Sequence, residues 1–562
     1  CRDGLNGQNY DSSRDKYFHF ILLAKDAEGH KQIRELSTIA WMRSYTHRRM
    51  VRVPTYYSDV EKIIGSNKGH VIGSTACLGG YLPTKIVEYL KTKDESILHT
   101  IHLWIKTMIS FFGKEDFYLE MQPSHTKEQI VVNKFLIELA KEFDLKYIIT
   151  TDSHYLSKNK AKIHSAFLRS QDGDREVDSF YQSTYMMNTE ELESYFDYFD
   201  KETLSKAYDT IIEIKNKCED YSLLKPLRIP SLEWNKPKIK ENEIPQIFLE
   251  KIPYLKTFLS SSFEGDKVLA RAIIDKVSNN IRLKTGETYA EINDNLKTTW
   301  LSSQTNKANW SAYFLNLQKI IEVCWSAGTL VGPGRGSGVG FLLLYLLDII
   351  QINPLWEETK VYSWRFLNPD RVSVLDVDTD IEGGRRPQVL EALREYFGRD
   401  RVANVVTFGT EKSKSALQTA ARGLGIDNDV SLYLSSLIPS DRGRTRTLKE
   451  CMYGDEEKDF KPVTKFVTEM TNNYPDLLEV ALEIEGLCCR IGEHAGGVIF
   501  VDEPFTESTA LMKVPNGDVV TQFDLHDCED VSLIKIDLLS IEALDNIHLS
   551  LIHISEPTRP ER

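Results

Sequence analysis

"RVSVLDVDTDIEGG", residues 371–384, alternates acidic and small or apolar residues with the period of a β-strand and sets Asp376, Asp378 and Asp380 on one face. Side chains two apart on a strand lie roughly 6.6–7 Å from each other along the chain. Three carboxylates so placed repel one another unless cations lie between them. Two divalent ions about 3.5–4 Å apart, bridged by a pair of these aspartates, relieve the repulsion and create a phosphoryl-transfer centre. Oxygen ligands and a phosphate substrate point to Mg²⁺. An EF-hand loop also reads D-x-D-x-D, but its glycine position is Ile381 here and its twelfth position is Pro387. The remaining competitor is a solvated edge strand with acidic gatekeepers.

A second strand argues against that competitor. In "VSLIKIDLL" (531–539), Lys535 and Asp537 share one face, while Ile534, Ile536 and Leu538 take the other. An unpaired buried charge is expensive. Either the two pair with each other, or Asp537 joins the metal carboxylates and Lys535 faces a phosphate. Upstream, "LVGPGRGSGVGFLLLYLLDII" (330–350) places glycine at 332, 334, 336, 338 and 340 and leads into an apolar stretch expected to be helical. Glycines let backbone N–H groups approach an anion, a following helix N-terminus adds positive potential, and Arg335 and Ser337 can donate to phosphate oxygens. The loop is no Walker A motif, because G-K-[ST] is absent. It is no dinucleotide fingerprint either, because Ser337 and Val339 stand where glycine is required.

Around these motifs, 562 residues make three or more domains the natural expectation. Strand-like "GHVIGSTACLGG" (69–80), "DFYLEM" (116–121) and "KYIITTDSHYL" (146–156) alternate with helical patterns at 88–113 and 127–143, which argues for a parallel α/β barrel or open sheet. Proline and lysine mark a linker at 223–245, and a mainly helical stretch precedes the glycine loop. Residues 406–490 read as polar and helical, with a basic insert formed by Lys412, Lys414, Arg422, Arg442, Arg444 and Arg446. Net charge is −14, which excludes a surface basic throughout but leaves room for a local basic groove. The eight cysteines form no C-x-x-C pair, which suits a reducing cytoplasm, and the longest apolar run is too short to span a bilayer.

The residues resemble the bacterial replicative DNA polymerases of family C, the DNA polymerase III alpha subunits. The resemblance rests on "VGPGRGSG" (331–338), "RFLNPDRVSVLDVDTD" (365–380), "VVTFGTEKSKSALQTAARGLG" (405–425), "EHAGGVIF" (493–500) and "TQFDLHDCEDVSLIKIDLLS" (521–540), in the family's order. It implies an α/β and α+β multidomain chain: a PHP-type β/α barrel followed by a polymerase-beta-like palm with an inserted helical thumb. The corresponding divisions are 1–240 for the PHP domain, 241–405 for the first part of the palm with a helical lead-in, 406–490 for the thumb and 491–550 for the second part of the palm. The implied activity is template-directed DNA synthesis, in which a primer 3′-hydroxyl attacks the α-phosphate of a dNTP at a two-Mg²⁺ centre. Asp376, Asp378, Asp380 and Asp537 supply the carboxylates, and sequence leaves open which two of the first three bind metal. Gly334, Arg335, Gly336, Ser337 and Lys535 contact the nucleotide, and Lys414, Arg422 and His494 are further phosphate or DNA contacts. In the PHP domain, His19, Cys77, Asp152 and His154 resemble ligands of the Zn²⁺- or Mn²⁺-binding version, which carries 3′→5′ exonuclease activity. Primer–template DNA, dNTPs, a sliding clamp and other replisome subunits are the implied partners, in the cytoplasm of a bacterium or an infected host and with no membrane role.

The chain departs from the family pattern in places. Phe341 stands for serine after the glycine loop, Leu375 for proline before the first aspartate, and Thr379 and Ile381 for more apolar or aromatic residues; residues 283–325 follow the family loosely, as expected of a divergent, phage-type member. The family's opening H-x-D cluster has no counterpart here. The text closes before a fingers domain, with "LIHISEPTRPER" (551–562) reading as a non-native tail. Processive synthesis and exonuclease activity are therefore expected to be weak. Two alternatives remain: a PHP-domain phosphoesterase, and a catalytically silent nucleic-acid-binding protein. The clustered acids argue against the second.

Overall fold

The computed structural model describes residues 17–47, 50–171, 179–356, 361–370, 377–441 and 443–555. Leu375, Asp376 and Arg442 lie outside them, as do the first part of the aspartate stretch and residues 556–562. The chain divides into two compact units, Cys1–Tyr221 with Phe408–Ile491, and Ser222–Thr407 with Gly492–Arg562. Both mix helices and strands.

The first unit contains a sheet of β1 (Ile21–Ala24), β2 (Val71–Ser74), β3 (Phe117–Met121) and β4 (Tyr147–Ile149) in that spatial order. β1 is antiparallel to β2, while β2–β3 and β3–β4 are parallel. β3 is buried on both faces, as a parallel central strand must be. The helical pattern at 88–113 is two helices, Tyr81–Thr92 and Glu95–Phe112. Lys93 ends the first in the left-handed region at φ +57°, and the Asp94 carboxylate caps the second by accepting from Ser96 N at 2.9 Å. Periodicity runs across such a break unnoticed, because the two caps occupy only "KD". The Lys127–Phe143 helix matches its pattern and buries Val132, Leu136, Leu139 and Ala140. In the later part of this unit, Ser413–Gly423 and Pro475–Ile484 pack with the Ala161–Gln171 helix around Ala416, Ala420, Val480 and Ala166. Two cations of the basic insert have local partners: Arg444 Nη2 lies 2.7 Å from Glu450, and Arg446 sits 4.0 Å from the Phe460 ring centroid.

The second unit is built on a sheet of β5 (Thr379–Ile381), β6 (Val402–Thr410), β7 (Cys488–Phe500), β8 (Leu511–Lys513), β9 (Val519–Thr521) and β10 (Lys535–Ser540), in the order β8–β9–β6–β7–β10–β5. Its long helices, Glu264–Ser278, Gly286–Asn306 and Trp310–Ser326, share one core with the sheet through Trp310, Phe314, Phe341, Ile381, Val498 and Leu538. Phe341, the departure from serine, is fully buried with its ring centroid 5.2 Å from Phe366 and 5.7 Å from Phe314. The apolar run after the glycine loop forms only a short helix, Leu342–Leu346. Ile349 and Ile350 both donate to the Leu344 carbonyl, and Asp348 adopts φ +58°, which closes the turn. No helix among the described residues is long and apolar enough to cross a membrane.

Candidate active site

The acids of the second unit converge through strand pairing. β10 runs parallel to β5 with Leu538 opposite Thr379 and Leu539 opposite Asp380. Followed one residue back, that register sets Asp537 level with Asp378, on strands about 4.8 Å apart. Alternation does the rest: Ile534, Ile536 and Leu538 enter the core, leaving Lys535 and Asp537 on the opposite face. Lys535 Nζ donates to Asp537 Oδ2 at 2.5 Å. Asp537 is 6% exposed, and its Oδ1 accepts no hydrogen bond.

Glycines shape both sides of this face. On β7, Gly497 pairs with Asp537. A Cβ at neighbouring Gly496 would stand 2.5 Å from Leu539 Cδ2 and 3.3 Å from Asp537 Oδ1. On the other side the glycine loop enters by pairing with β5: Val331 bridges Ile381, and Gly332 N donates to the Asp380 carbonyl at 2.8 Å. A Cβ at Gly332 would stand 2.8 Å from Asp380 Cβ. What the loop holds against its backbone is therefore the aspartate strand itself. Gly334 and Gly336 take φ of +114° and +69°, which turns the chain so that Arg335 returns over the acids. Arg335 Nε lies 3.3 Å from Asp378 Oδ2 and 3.5 Å from Asp380 Oδ1. Burial pushes the Asp380 carboxyl above the usual range; the Arg335 guanidinium pulls it back, and the Asp378 charge pushes it up again. Asp380 Oδ1, like Asp537 Oδ1, is buried without a hydrogen bond.

The structure thus gathers Gly334, Arg335, Gly336, Asp378, Asp380, Lys535 and Asp537 about two paired strands and their loop; Asp376 lies outside the described residues. Ser337 is half-buried in the 3₁₀ turn Gly336–Gly340. His494 is committed locally, its Nδ1 accepting from Gly496 N at 3.3 Å and Gly497 N at 2.8 Å. Lys414 and Arg422 belong to the first unit, where Arg422 donates to the Ser170 carbonyl at 3.2 Å and so ties two helices together. Sequence reading missed Glu382, Asp545 and His548, which no motif marks. Glu382 is 2% exposed and accepts from Leu330 N at 2.6 Å.

In the first unit, His19 Nδ1 lies 3.1 Å from Cys77 Sγ. Burial pushes the Cys77 thiol up, a backbone contact from Gly79 opposes this, and the charges of Asp152 and Glu120 reinforce it. Asp152 adopts φ +47°. His154 Nδ1 turns back to the Asp152 carbonyl at 2.6 Å, with its ring against Tyr181 and His164.

Among the described residues, no three His, Cys, Asp or Glu side chains form a group that could hold one metal ion. The two regions differ in kind nonetheless. Asp378, Asp380 and Asp537 present hard carboxylate oxygens; among the described residues Asp537 Oδ1 has no hydrogen-bond partner, and Asp380 Oδ1 has only the Arg335 guanidinium, 3.5 Å away. At Cys77 the candidate ligand is instead a soft thiol beside a histidine, pushed up by burial.

Residues 272–540 match the bacterial DNA polymerase III alpha NTPase domain, and residues 4–124 match the PHP domain. Over 98% of its length the chain is 41% identical to the probable DNA polymerase YorL of Bacillus subtilis strain 168 and to the DNA-directed DNA polymerase of Bacillus phage SPbeta, covering 43% of each. Over 96% of its length it is 28% identical to the DNA polymerase III subunit alpha of Aquifex aeolicus, covering 45% of it. The chain spans a little under half the length of these relatives. With both domain matches in order along one chain, this protein belongs to the family of the bacterial DNA polymerase III alpha subunits.

Proposed function

We propose that the chain carries the PHP, palm and thumb parts of a template-directed DNA polymerase, with residues 1–240 as a PHP-type barrel, 241–405 and 491–550 as palm and 406–490 as thumb. The observation that carries this reading is the pairing of β10 with β5, which draws Asp537 beside Asp378 and Asp380 under the glycine loop. The reaction is attack of a primer 3′-hydroxyl oxygen on the α-phosphorus of a dNTP, forming one phosphodiester bond and breaking the bond to pyrophosphate. Asp378, Asp380 and Asp537, with Asp376, would hold the divalent cations, taken as Mg²⁺, which supply charge neutralisation at the transferred phosphate. Arg335 and Lys535 border the acidic face, and a triphosphate arriving there offers both a second set of acceptors. The loop's glycines let that triphosphate approach backbone N–H groups. Primer–template DNA and dNTPs are the substrates; a sliding clamp and other replisome subunits, in the cytoplasm, are the partners of the full-length protein.

A single-turnover assay, adding one dNTP to a primed template with Mg²⁺, tests this. Asp378→Asn and Asp537→Asn are expected to lower addition by at least about 10²–10³-fold, and Asp152→Asn to leave it intact. Addition that survives Asp537→Asn overturns the proposal. A PHP phosphoesterase using Zn²⁺ or Mn²⁺ is the second reading, supported by the His19–Cys77 contact and by Asp152 and Glu120 near that thiol. It requires phosphate release that Asp152→Asn abolishes and Asp378→Asn spares.

A further inference from the structure

Three segments that bear the proposed polymerase site meet at one buried carboxylate. Glu382 follows β5, two residues beyond Asp380. Its Oε2 accepts from Leu330 N at 2.6 Å, at the mouth of the glycine loop, and its own N–H donates to Thr329 Oγ1 at 3.2 Å. Its Oε1 faces His548 Nδ1 at 2.7 Å and Arg385 Nε at 3.7 Å. His548 lies on the helix Glu542–Ser555, which follows β10, the strand that carries Asp537. That helix grips the same turn a second time. Asp545 accepts from Gly383 N and Gly384 N, each at 3.0 Å, and a Cβ on either glycine would come within 3.2 Å of its carboxylate.

We propose that Glu382 is a positioning residue for nucleotide binding: it locks the glycine loop in register with the aspartate strand, against the helix that follows Asp537. This rests on the polymerase reading above and adds a residue that touches neither substrate nor metal. The reciprocal bonds between Glu382 and Thr329–Leu330 fix where the loop starts. Val331, Gly332 and Arg335 follow within one turn, so a shift at Leu330 moves Arg335 relative to Asp378 and Asp380. Phosphoryl transfer is sensitive to such shifts, and a displacement of about 1 Å costs up to about 10²-fold. Glu382 is also nearly inaccessible, so removing its carboxylate leaves the Leu330 N–H without its acceptor and takes away the oxygen that faces His548 and the half-exposed Arg385.

The test is the dNTP dependence of single-nucleotide addition, read beside thermal melting and primer–template affinity. Glu382→Ala is expected to raise the KM for dNTP by about 10- to 100-fold, with DNA affinity unchanged. Glu382→Gln keeps an acceptor for Leu330 N and is expected to stay within about threefold of the parent, near the lower bound for losing one net hydrogen bond. Should Glu382→Ala fail to fold, Thr329→Val decides, because it leaves the carboxylate in place and removes the hydroxyl that accepts from Glu382 N and donates to the Leu330 carbonyl at 3.1 Å; a raised KM supports the inference and an unchanged one overturns it. Equal effects of Ala and Gln at 382, or a parental KM in folded Glu382→Ala, also overturn it. Asp537→Asn, run in parallel, separates the two levels. If it abolishes addition while Glu382→Ala changes nothing, only the positioning role falls; if it too is silent, the polymerase reading falls.

Discussion

Around Asp378, Asp380 and Asp537 the acids have cationic side chains beside them, Arg335 across the first two and Lys535 on the third. Around Cys77 the neighbours are His19, Asp152 and Glu120, and Glu120 is itself satisfied by the hydroxyls of Ser74 and Thr150 and the amide of Gln122. The first region concentrates negative charge and sets cationic donors against it, with Asp537 Oδ1 buried and without a hydrogen bond among the described residues. In the second, burial and the charges of Asp152 and Glu120 push the Cys77 thiol up. A polyanionic substrate delivered with hard cations fits the first arrangement. Geometry and charge thus separate two acid-bearing regions that residue type alone would rank as equals.

The sharpest way to break this comparison is to swap which region is disabled. Asp537→Asn should cost nucleotide addition at least about 10²-fold, whereas Cys77→Ser should leave it unchanged; a loss with Cys77→Ser would reverse the ranking. Next in size is Gly332→Ala. The new methyl would meet Asp380 Cβ at 2.8 Å, and overpacking of this kind costs about 1–3 kcal/mol. Chemical denaturation should read that loss together with weaker addition. A wild-type midpoint would show that the loop does not lie against the strand.

A smaller effect follows from Asp380. Burial raises its folded carboxyl above the unfolded value, so the native state binds that proton more tightly than the unfolded chain does. The stability this represents is complete below the ordinary carboxyl range, about pH 4, and is lost as pH rises through the folded value. Asp380→Asn should therefore raise Tm at pH 7, and the gain should shrink toward pH 4. A gain independent of pH would mean that its charge is not the cause. The smallest effect is on reactivity. Cys77, 8% exposed with its thiol pushed up, should alkylate far more slowly at pH 8 than exposed Cys488, as peptide mass mapping would show. Equal rates would show that burial does not hold the Cys77 thiol back.

Much of the candidate site was legible because its signals are local. Two-residue alternation placed Lys535 and Asp537 on one face, and the glycine spacing announced a close backbone approach. The object approached was not legible. Gly332 yields to the Asp380 strand, and Arg335 reaches the carboxylates of Asp378 and Asp380. Both follow from strand pairing between segments far apart in the chain, which no periodicity encodes. Glu382 escaped for the same reason: a single glutamate after a strand looks solvated until Leu330, Thr329 and His548 are brought to it. Thr379 and Ile381, read as departures from the family, are buried in β5, and Ile381 receives the loop at Val331. In the first unit, strand and helix order came through, but "TTDSHYL" did not continue as a strand. β4 ends at Ile149, and Asp152 turns into the left-handed region.

The acids of β5 and β10 are proposed to form one cation-binding, triphosphate-receiving face. Crystals soaked with Mn²⁺ and a dNTP, examined by anomalous scattering, test it most directly. The account predicts manganese peaks within coordination distance of Asp378 and Asp537, with the triphosphate against Arg335 and the glycine loop. Manganese bound only beside His19 and Cys77, with Asp537 still paired to Lys535 alone, would contradict it.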